Sequence, residues 1–458
     1  MSEKLDTIVS FAKRRGFIFQ SAEIYGGLSS CYDYGPLGVE LKNNIKRAWL
    51  KEMVQKRNDV VGLDSAILSP EIVWEASGHL QGFSDPLVEC KECHHRFRAD
   101  HLLEAKQAEP GYVKEKPVEL TDIDCPDCGG KLTEPQDFNL MMKTELGVVE
   151  GKKDIAYLRG ETCQGIFLNY QNVIDSMRKK PPFGIAQVGK AFRNEITTKH
   201  FTFRMKEFEQ MEMQYFVDPN DATEYFAYWK TQRMNWYTKL GMKPENLRWR
   251  QHEPDERAHY ALDAWDIEYN TPWDGWKEME GVHNRGNWDL SRHSEYSKKD
   301  LSYTDQVNNK KFIPFVVETS GGVDRASLMF LADAYSEVET RSGDDNSKHE
   351  KEIVLRLHKD LAPIKVAILP LSKKEPLQKL SLEIQDKLKN HLMTEYDETG
   401  SIGKRYRRQD EIGTPYCLTV DFDSLEDKKV TVRDRDTMEQ VRISIAEVAD
   451  YFADKFNN

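Results

Sequence analysis

The sequence predicts an α+β protein in three parts: a sheet-based domain, a metal-binding lobe inserted into it, and a smaller C-terminal α/β domain. Three observations carry that reading. Residues 188–216 read as two strands joined by a polar loop. The pairs Cys90/Cys93 and Cys125/Cys128 each have Cys-x-x-Cys spacing. Beyond the charged stretch 341–352, strands and helices alternate. The 458 residues suffice for roughly three domains at ~150 residues each.

Composition narrows the class. The N-terminus mixes charged and apolar residues, and no run approaches the ~18 apolar residues of a membrane span, so a cytoplasmic protein without a membrane partner is expected. A net charge of −12 argues against nucleic-acid binding through the overall field and against a DNA partner, while leaving room for a local basic patch. Four of the seven cysteines fall in the two pairs, which suits metal binding in a reducing compartment better than disulfides. No P-loop or Gly-x-Gly-x-x-Gly occurs, which removes the commonest phosphate-binding loops.

From the N-terminus, Gly35-Pro36 opens an amphipathic helix with Val39, Ile45, Trp49 and Met53 as core candidates, and an apolar strand follows and stops at Pro70. Each cysteine pair forms a knuckle pointing two thiolates at one tetrahedral ion, and Gly129-Gly130 permits the turn after the second. The intervening residues 94–124 exceed the usual spacing of ~15–20, so the site belongs to an inserted lobe. Residues 157–170 read as a strand ending at Gly160, then a helix capped by Thr162, with Glu161 at the junction.

In the hairpin 188–216, side chains two apart share a face. Arg193 and Glu195 fall together, as do Phe208, Gln210 and Glu212, while Met211, Met213 and Tyr215 fall opposite. A face with an arginine, carboxylates and an aromatic ring suits a planar ligand bearing an amine and a phosphate. Residues 218–264 read as mostly helical, with aromatic core candidates. In the run from Trp276, Glu278 and Glu280 share a strand face, and paired carboxylates beside a triphosphate ordinarily bind magnesium. In 312–335 a buried strand delivers Glu318 and Ser320 on one face, Gly321-Gly322 turns the chain, and Arg325 lies in the first turn of a helix whose N-terminus is an anion site. The charged stretch 341–352 reads as a linker. A basic turn follows the next strand and helix, and its Lys404, Arg405, Arg407 and Arg408 are candidates for RNA phosphates.

The hairpin resembles motif 2 of the class II aminoacyl-tRNA synthetases, through Phe192, Arg193 and Glu195 in one arm and Phe208 and Glu212 in the other. FRNE followed by KEFEQME is similar to the homodimeric glycyl family, with Lys206 where that family usually shows arginine. The helix and strand before Pro70 resemble motif 1, a dimer interface. VWEASGH at 73–79, RGETCQG at 159–165, EMEG at 278–281 and the Gly-Gly…Arg of motif 3 continue the match, with Gly160, Cys163, Met279 and Thr319 as departures.

The resemblance implies a class II fold on a mixed, mainly antiparallel sheet over 1–345, an insertion at about 86–137 and an anticodon-binding domain over 350–458. It implies an ATP-dependent ligase that makes glycyl adenylate and transfers glycine to tRNA(Gly). Arg193 and Arg325 would be catalytic. ATP would meet these two and Asn194, Glu195, Phe203, Arg204, Phe208, Glu278, Met279 and Gly322. Glycine would meet Arg98, Glu161, Phe208, Glu212, Glu318 and Ser320. Magnesium would sit on Glu278 with ATP, and structural zinc on Cys90, Cys93, Cys125 and Cys128. Two alternatives stay open: a ligase of the same subclass for serine, threonine, proline or histidine, and a non-catalytic synthetase-like protein. The acidic pair Glu161/Glu212 argues against the first, and the presence of both motif arginines against the second.

Overall fold

Residues 3–107, 119–147, 154–196, 201–258, 260–339 and 351–457 are described by the computed structural model. The tip of the hairpin loop, 197–200, and most of the charged stretch 341–352 lie outside the described residues. The central sheet has seven strands: β1 (Val60–Gly62), β2 (Phe183–Phe192), β3 (Glu207–Val217), β4 (Leu247–Gln251), β5 (Asp263–Thr271), β6 (Gly275–Gly286) and β7 (Phe315–Gly322). Their order is β4-β5-β6-β7-β3-β2-β1; β1 is parallel to β2, and the other neighbours are antiparallel. The mixed, mainly antiparallel sheet is therefore as expected.

Strand β3 obeys strict alternation: Met211, Met213 and Tyr215 enter the main hydrophobic core, while Phe208, Gln210 and Glu212 face a cleft. The core is shared with helices α1 (Pro36–Leu50), α2 (Ala222–Lys239) and α3 (Val323–Ala334). Pro36 stands in the first turn of α1, where its missing N–H leaves no bond unmade. Leu41, Ile45 and Trp49 form the buried face, and a π-helical turn over Lys51–Gln55 brings in Met53. Val39 is 41% exposed, contrary to expectation, because it lies about 200° round the helix from Leu41 at ~100° per residue.

Two expectations fail at the ends of the central strands. Ile267 of β5 faces Glu280, and Glu268 faces Glu278, so Met279 is the extra residue of a β-bulge in β6. The bulge breaks the two-residue period, leaving Glu278 exposed while Met279 and Glu280 are buried. Glu280 is closed in by Arg233 and by the Tyr237 hydroxyl, which donates at 2.7 Å. Likewise Gly321 and Gly322 do not turn the chain: they pair with Met211 and Gln210 as the last residues of β7. Their bare Cα atoms admit neighbours, since a Cβ on Gly321 would lie 3.0 Å from a Glu280 oxygen.

The lobe between these elements contains a three-stranded sheet of Ser84–Glu89, Arg96–Arg98 and Gln136–Asn139. Toward the C-terminus, a five-stranded sheet orders Thr394–Tyr396, Val366–Pro370, Tyr416–Val420, Lys429–Asp434 and Gln440–Ser444 side by side, with its own core around Ile368, Leu377, Leu418 and Phe452. The presumed basic turn is a helix, Ile402–Ile412, capped by the Ser401 hydroxyl and ended by Gly413 in the left-handed region. Its charges are largely spent inside the protein. Arg405 is buried and donates to the carbonyls of Asp397 and Leu371, Arg408 pairs with Asp397, and Arg407 with Glu352 at 2.7 Å. Of the four, Lys404 is exposed. No helix among the described residues is long and apolar enough to cross a membrane.

Candidate functional site

The cleft opens on the polar face of β3, β6 and β7. Its walls include Glu161, Arg193, Glu195, Phe203, Arg204, Phe208, Glu212, Glu278, Glu318, Ser320, Gly322 and Arg325. Strand β2 ends at Phe192, and Arg193 and Glu195 just beyond it line the cleft.

The Arg193 guanidinium lies 5.3 Å from the Phe208 ring and 4.9 Å from Phe83, and its Nε donates to the Gly160 carbonyl at 3.0 Å. Arg325 stands 4.5 Å from the Phe203 ring and pairs with Glu278 at 2.9 Å. The two arginines thus face a slot floored by aromatic rings. Glu195 is buried, with one carboxylate oxygen lacking a hydrogen-bond partner among the described residues and Arg204 3.9 Å away. A buried oxygen left unsatisfied is a standing demand for a donor. Asp324, at the start of α3, is already committed to Lys42 at 2.7 Å and to the Tyr34 hydroxyl at 2.6 Å, which ties α1 to α3 behind the slot.

Deeper in, three carboxylates converge in a sheltered corner. Glu161 sits 3.2 Å from His79 Nε2; burial opposes its charge, but His79 and Arg285 hold it well below the usual carboxylate range. Glu318 takes Arg285 Nη1 and His283 Nδ1, both at 2.9 Å. Burial again works against ionisation, yet Arg285 and His283 bring this group down to about 2. Glu212 lies between them and shares Gln214 Nε2 with Glu318, at 3.0 and 2.6 Å respectively. Burial and the charges of Glu318 and Glu161 push it well above the usual range, which favours its protonated form. The three carboxyl groups form a small acidic corner.

Three candidates stand elsewhere. Arg98 is clamped between Asp85 and Asp100, at 2.8 and 2.6 Å, off the cleft wall. Asn194 is not a wall residue; its backbone N–H donates to the Leu140 carbonyl at 2.8 Å. The Met279 side chain is 1% exposed inside the core, so the bulge withdraws it from the cleft. Thr162 occupies the N-cap position, but its hydroxyl goes to Glu212 rather than to the helix. Sequence reasoning overlooked His79, His283, Arg285 and Asp289. His79 closes the VWEASGH segment, whose residues mark no chemistry by their spacing alone. Arg285 forks onto Asp289 at 2.7 and 2.8 Å, an i,i+4 pair that in sequence looks like a solvated surface contact.

Cys90, Cys93, Cys125 and Cys128 bring their sulfurs within 4.8 Å of one another, with Cys90 to Cys128 at 3.4 Å and Cys93 to Cys125 at 3.7 Å. Four thiolates about 2.3 Å from a tetrahedral zinc stand at such separations. The N–H groups of Cys93 and Glu92 point at the Cys90 sulfur and bring its thiol down to about 6, which suits a metal ligand. The donor set fits zinc.

The anticodon binding domain family matches residues 365–455. A glycine–tRNA ligase of Treponema denticola is 56% identical over 97% of this chain and 95% of its own length. One of Cutibacterium acnes is 51% identical over 98% and 96%, and one of Thermobifida fusca 52% over 99% and 98%. Among solved structures, prolyl-tRNA synthetase from Cryptosporidium parvum, complexed with L-proline and AMP, superposes with a TM-score of 0.61 at 16% identity, covering 98% of this chain and 74% of that one, a likeness of fold. With the sheet, the C-terminal domain and full-length identities of this size in agreement, the chain belongs to the glycine–tRNA ligase family of class II aminoacyl-tRNA synthetases.

Proposed function

We propose that this chain joins glycine to tRNA(Gly) in two steps, glycyl adenylate formation from ATP and then transfer to the terminal adenosine. The observation that carries the reading is the corner of Glu161, Glu212 and Glu318 beneath the arginine slot. Glycine offers only an ammonium, a carboxylate and a bare α-carbon, so a site for it must grip the ammonium and leave no room for more. The corner supplies that grip, with Ser320 beside the α-carbon, and its inward carboxylates disfavour an added methyl more strongly than the ~1–3 kcal/mol of an apolar pocket.

Both attacking oxygens belong to substrates, so no protein nucleophile is needed, and catalysis rests on position and charge. Arg193 bridges the glycine carboxylate and the α-phosphate, where negative charge builds. The orphaned oxygen of Glu195 accepts from the adenine amino group. Phe208 stacks on one face of the base and Arg325 covers the other, with Phe203, Arg204 and Gly322 lining the remaining wall. Glu278, now paired with Arg325, would hold the magnesium that comes with ATP, which would neutralise phosphate charge; one protein carboxylate with substrate phosphates is a usual set. Glu280, committed to Arg233, does not join it.

Further roles follow from the same reading. Zinc on the four cysteines shapes the inserted lobe, the C-terminal domain meets tRNA(Gly), and α1 with the strands after it forms a homodimer interface. The setting is the cytoplasm, where thiols stay reduced.

Glycine alone should support ATP–pyrophosphate exchange; equal exchange with serine or alanine would sink the proposal. The proton on Glu212 has its own consequence. An arriving ammonium must displace it, so glycine binding should release protons, and its calorimetric enthalpy should vary with the ionisation enthalpy of the buffer. Identical enthalpies across buffers would place no proton on Glu212. Cys125→Ser should lose the lobe's zinc, measured by elemental analysis; full retention would remove Cys125 from the metal.

A further inference from the structure

Behind the acidic corner, His252, Asp266 and His283 bring one ligand atom each within 4.8 Å of the others. They come from the segment after β4, from β5 and from β6. His252 Nε2 stands 2.7 Å from Asp266 Oδ2, and His283 Nε2 3.9 Å from Asp266 Oδ1. The two rings lie 5.9 Å apart, inclined at 64°.

Both ring nitrogens of His283 face carboxylates. Its Nδ1 is engaged by Glu318 at 2.9 Å, which fixes the ring and turns Nε2 toward Asp266 and His252. That Nε2 is shielded from solvent and, among the described residues, has no hydrogen-bond partner, only the ion-pair contact with Asp266 at 3.9 Å. A carboxylate behind a histidine whose other nitrogen faces an acid and a second histidine is the supporting arrangement of metal-bound imidazoles. Gly281 keeps the gap open, because a Cβ there would lie 2.8 Å from His283 Nε2 and 3.6 Å from Asp266 Oδ1. Arg250, near enough to act on Asp266, is instead turned to Glu256 at 2.7 Å.

We propose that His252, Asp266 and His283 form a second metal site, for a divalent transition ion such as zinc, with Glu318 as the outer carboxylate. Two imidazoles and one carboxylate at about 2.0–2.2 Å are a common zinc set, and a fourth position is left for water. The three ligand atoms lie within 4.8 Å of one another, and loading would open the direct 2.7 Å contact of His252 with Asp266 to the ~3.3 Å between ligands that share such an ion. Loaded, the site ties the segment bearing His252 to β5 and β6 and, through the His283 ring, reaches Glu318. The binding claim itself stands independently of any glycine contact by Glu318.

The test uses the full chain with the four-cysteine site filled with zinc, titrated with Co2+. Wild type should take up one equivalent, with d–d absorption and no thiolate-to-cobalt charge-transfer band, since no sulfur is present. His252→Ala and Asp266→Asn, checked for unchanged circular dichroism, should lose that equivalent. In a separate preparation incubated with excess zinc instead of cobalt and then desalted, wild type should hold one more equivalent of zinc than His252→Ala. Wild type that takes up no cobalt, or bands unchanged in both variants, would overturn the site, and the wild-type titration decides even if a variant misfolds.

Discussion

Arg193→Ala should lower glycine-dependent pyrophosphate exchange by ~10²-fold or more, the usual cost of removing a donor aimed at charge that builds in the transition state. The side chain lines the cleft, held by the Gly160 carbonyl and the Phe83 and Phe208 rings, none of which needs its charge to fold. Melting temperature should therefore stay near wild type while exchange collapses. Arg193→Lys should recover little, because an ammonium cannot bridge carboxylate and phosphate with a planar fork. An alanine variant within about threefold of wild type would remove Arg193 from the chemistry.

The second large effect concerns stability. Arg233→Met should destabilise the fold by ~3–5 kcal/mol, because it strands Glu280 as an unpaired charge in the core. The pair is 0% and 1% exposed, and among the described residues Glu280 has only the Tyr237 hydroxyl besides. The double change Arg233→Met with Glu280→Gln should recover much of that loss, since it removes the stranded charge. Denaturant midpoints measure both. A single variant within ~1 kcal/mol of wild type would mean that water or a shifted cation reaches Glu280.

Much of this architecture can be read from the chain because β3 is buried on one face and chemically dressed on the other. Its period of two places Phe208, Gln210 and Glu212 on one side of the sheet without knowledge of any neighbour. The same rule misplaced Glu280, because a bulge depends on the partner strand, and nothing in EMEG announces that β5 has one residue fewer there. Gly321-Gly322 misled for a related reason: glycine signals a turn, but here it signals close approach by Glu280 and Arg325. The basic run 404–408 looked like a surface patch, and only the fold reveals that Arg405 closes over carbonyls. His79, Arg285 and Asp289 were invisible for a third reason. Their task is to set the charge of carboxylates far away in the chain, and that distance vanishes only on folding.

The extra residue at Met279 also divides labour for anyone engineering this strand. Position 278 faces solvent and the cleft, whereas 280, two residues on, is locked to Arg233. Randomising 278 should sample altered nucleotide handling with expression preserved, while randomising 280 should yield mostly insoluble clones. Deleting Met279 would leave Glu278 opposite Glu268 and Glu280 opposite Ile267, as now, so the two environments would survive while the core lost the side chain that the bulge inserts.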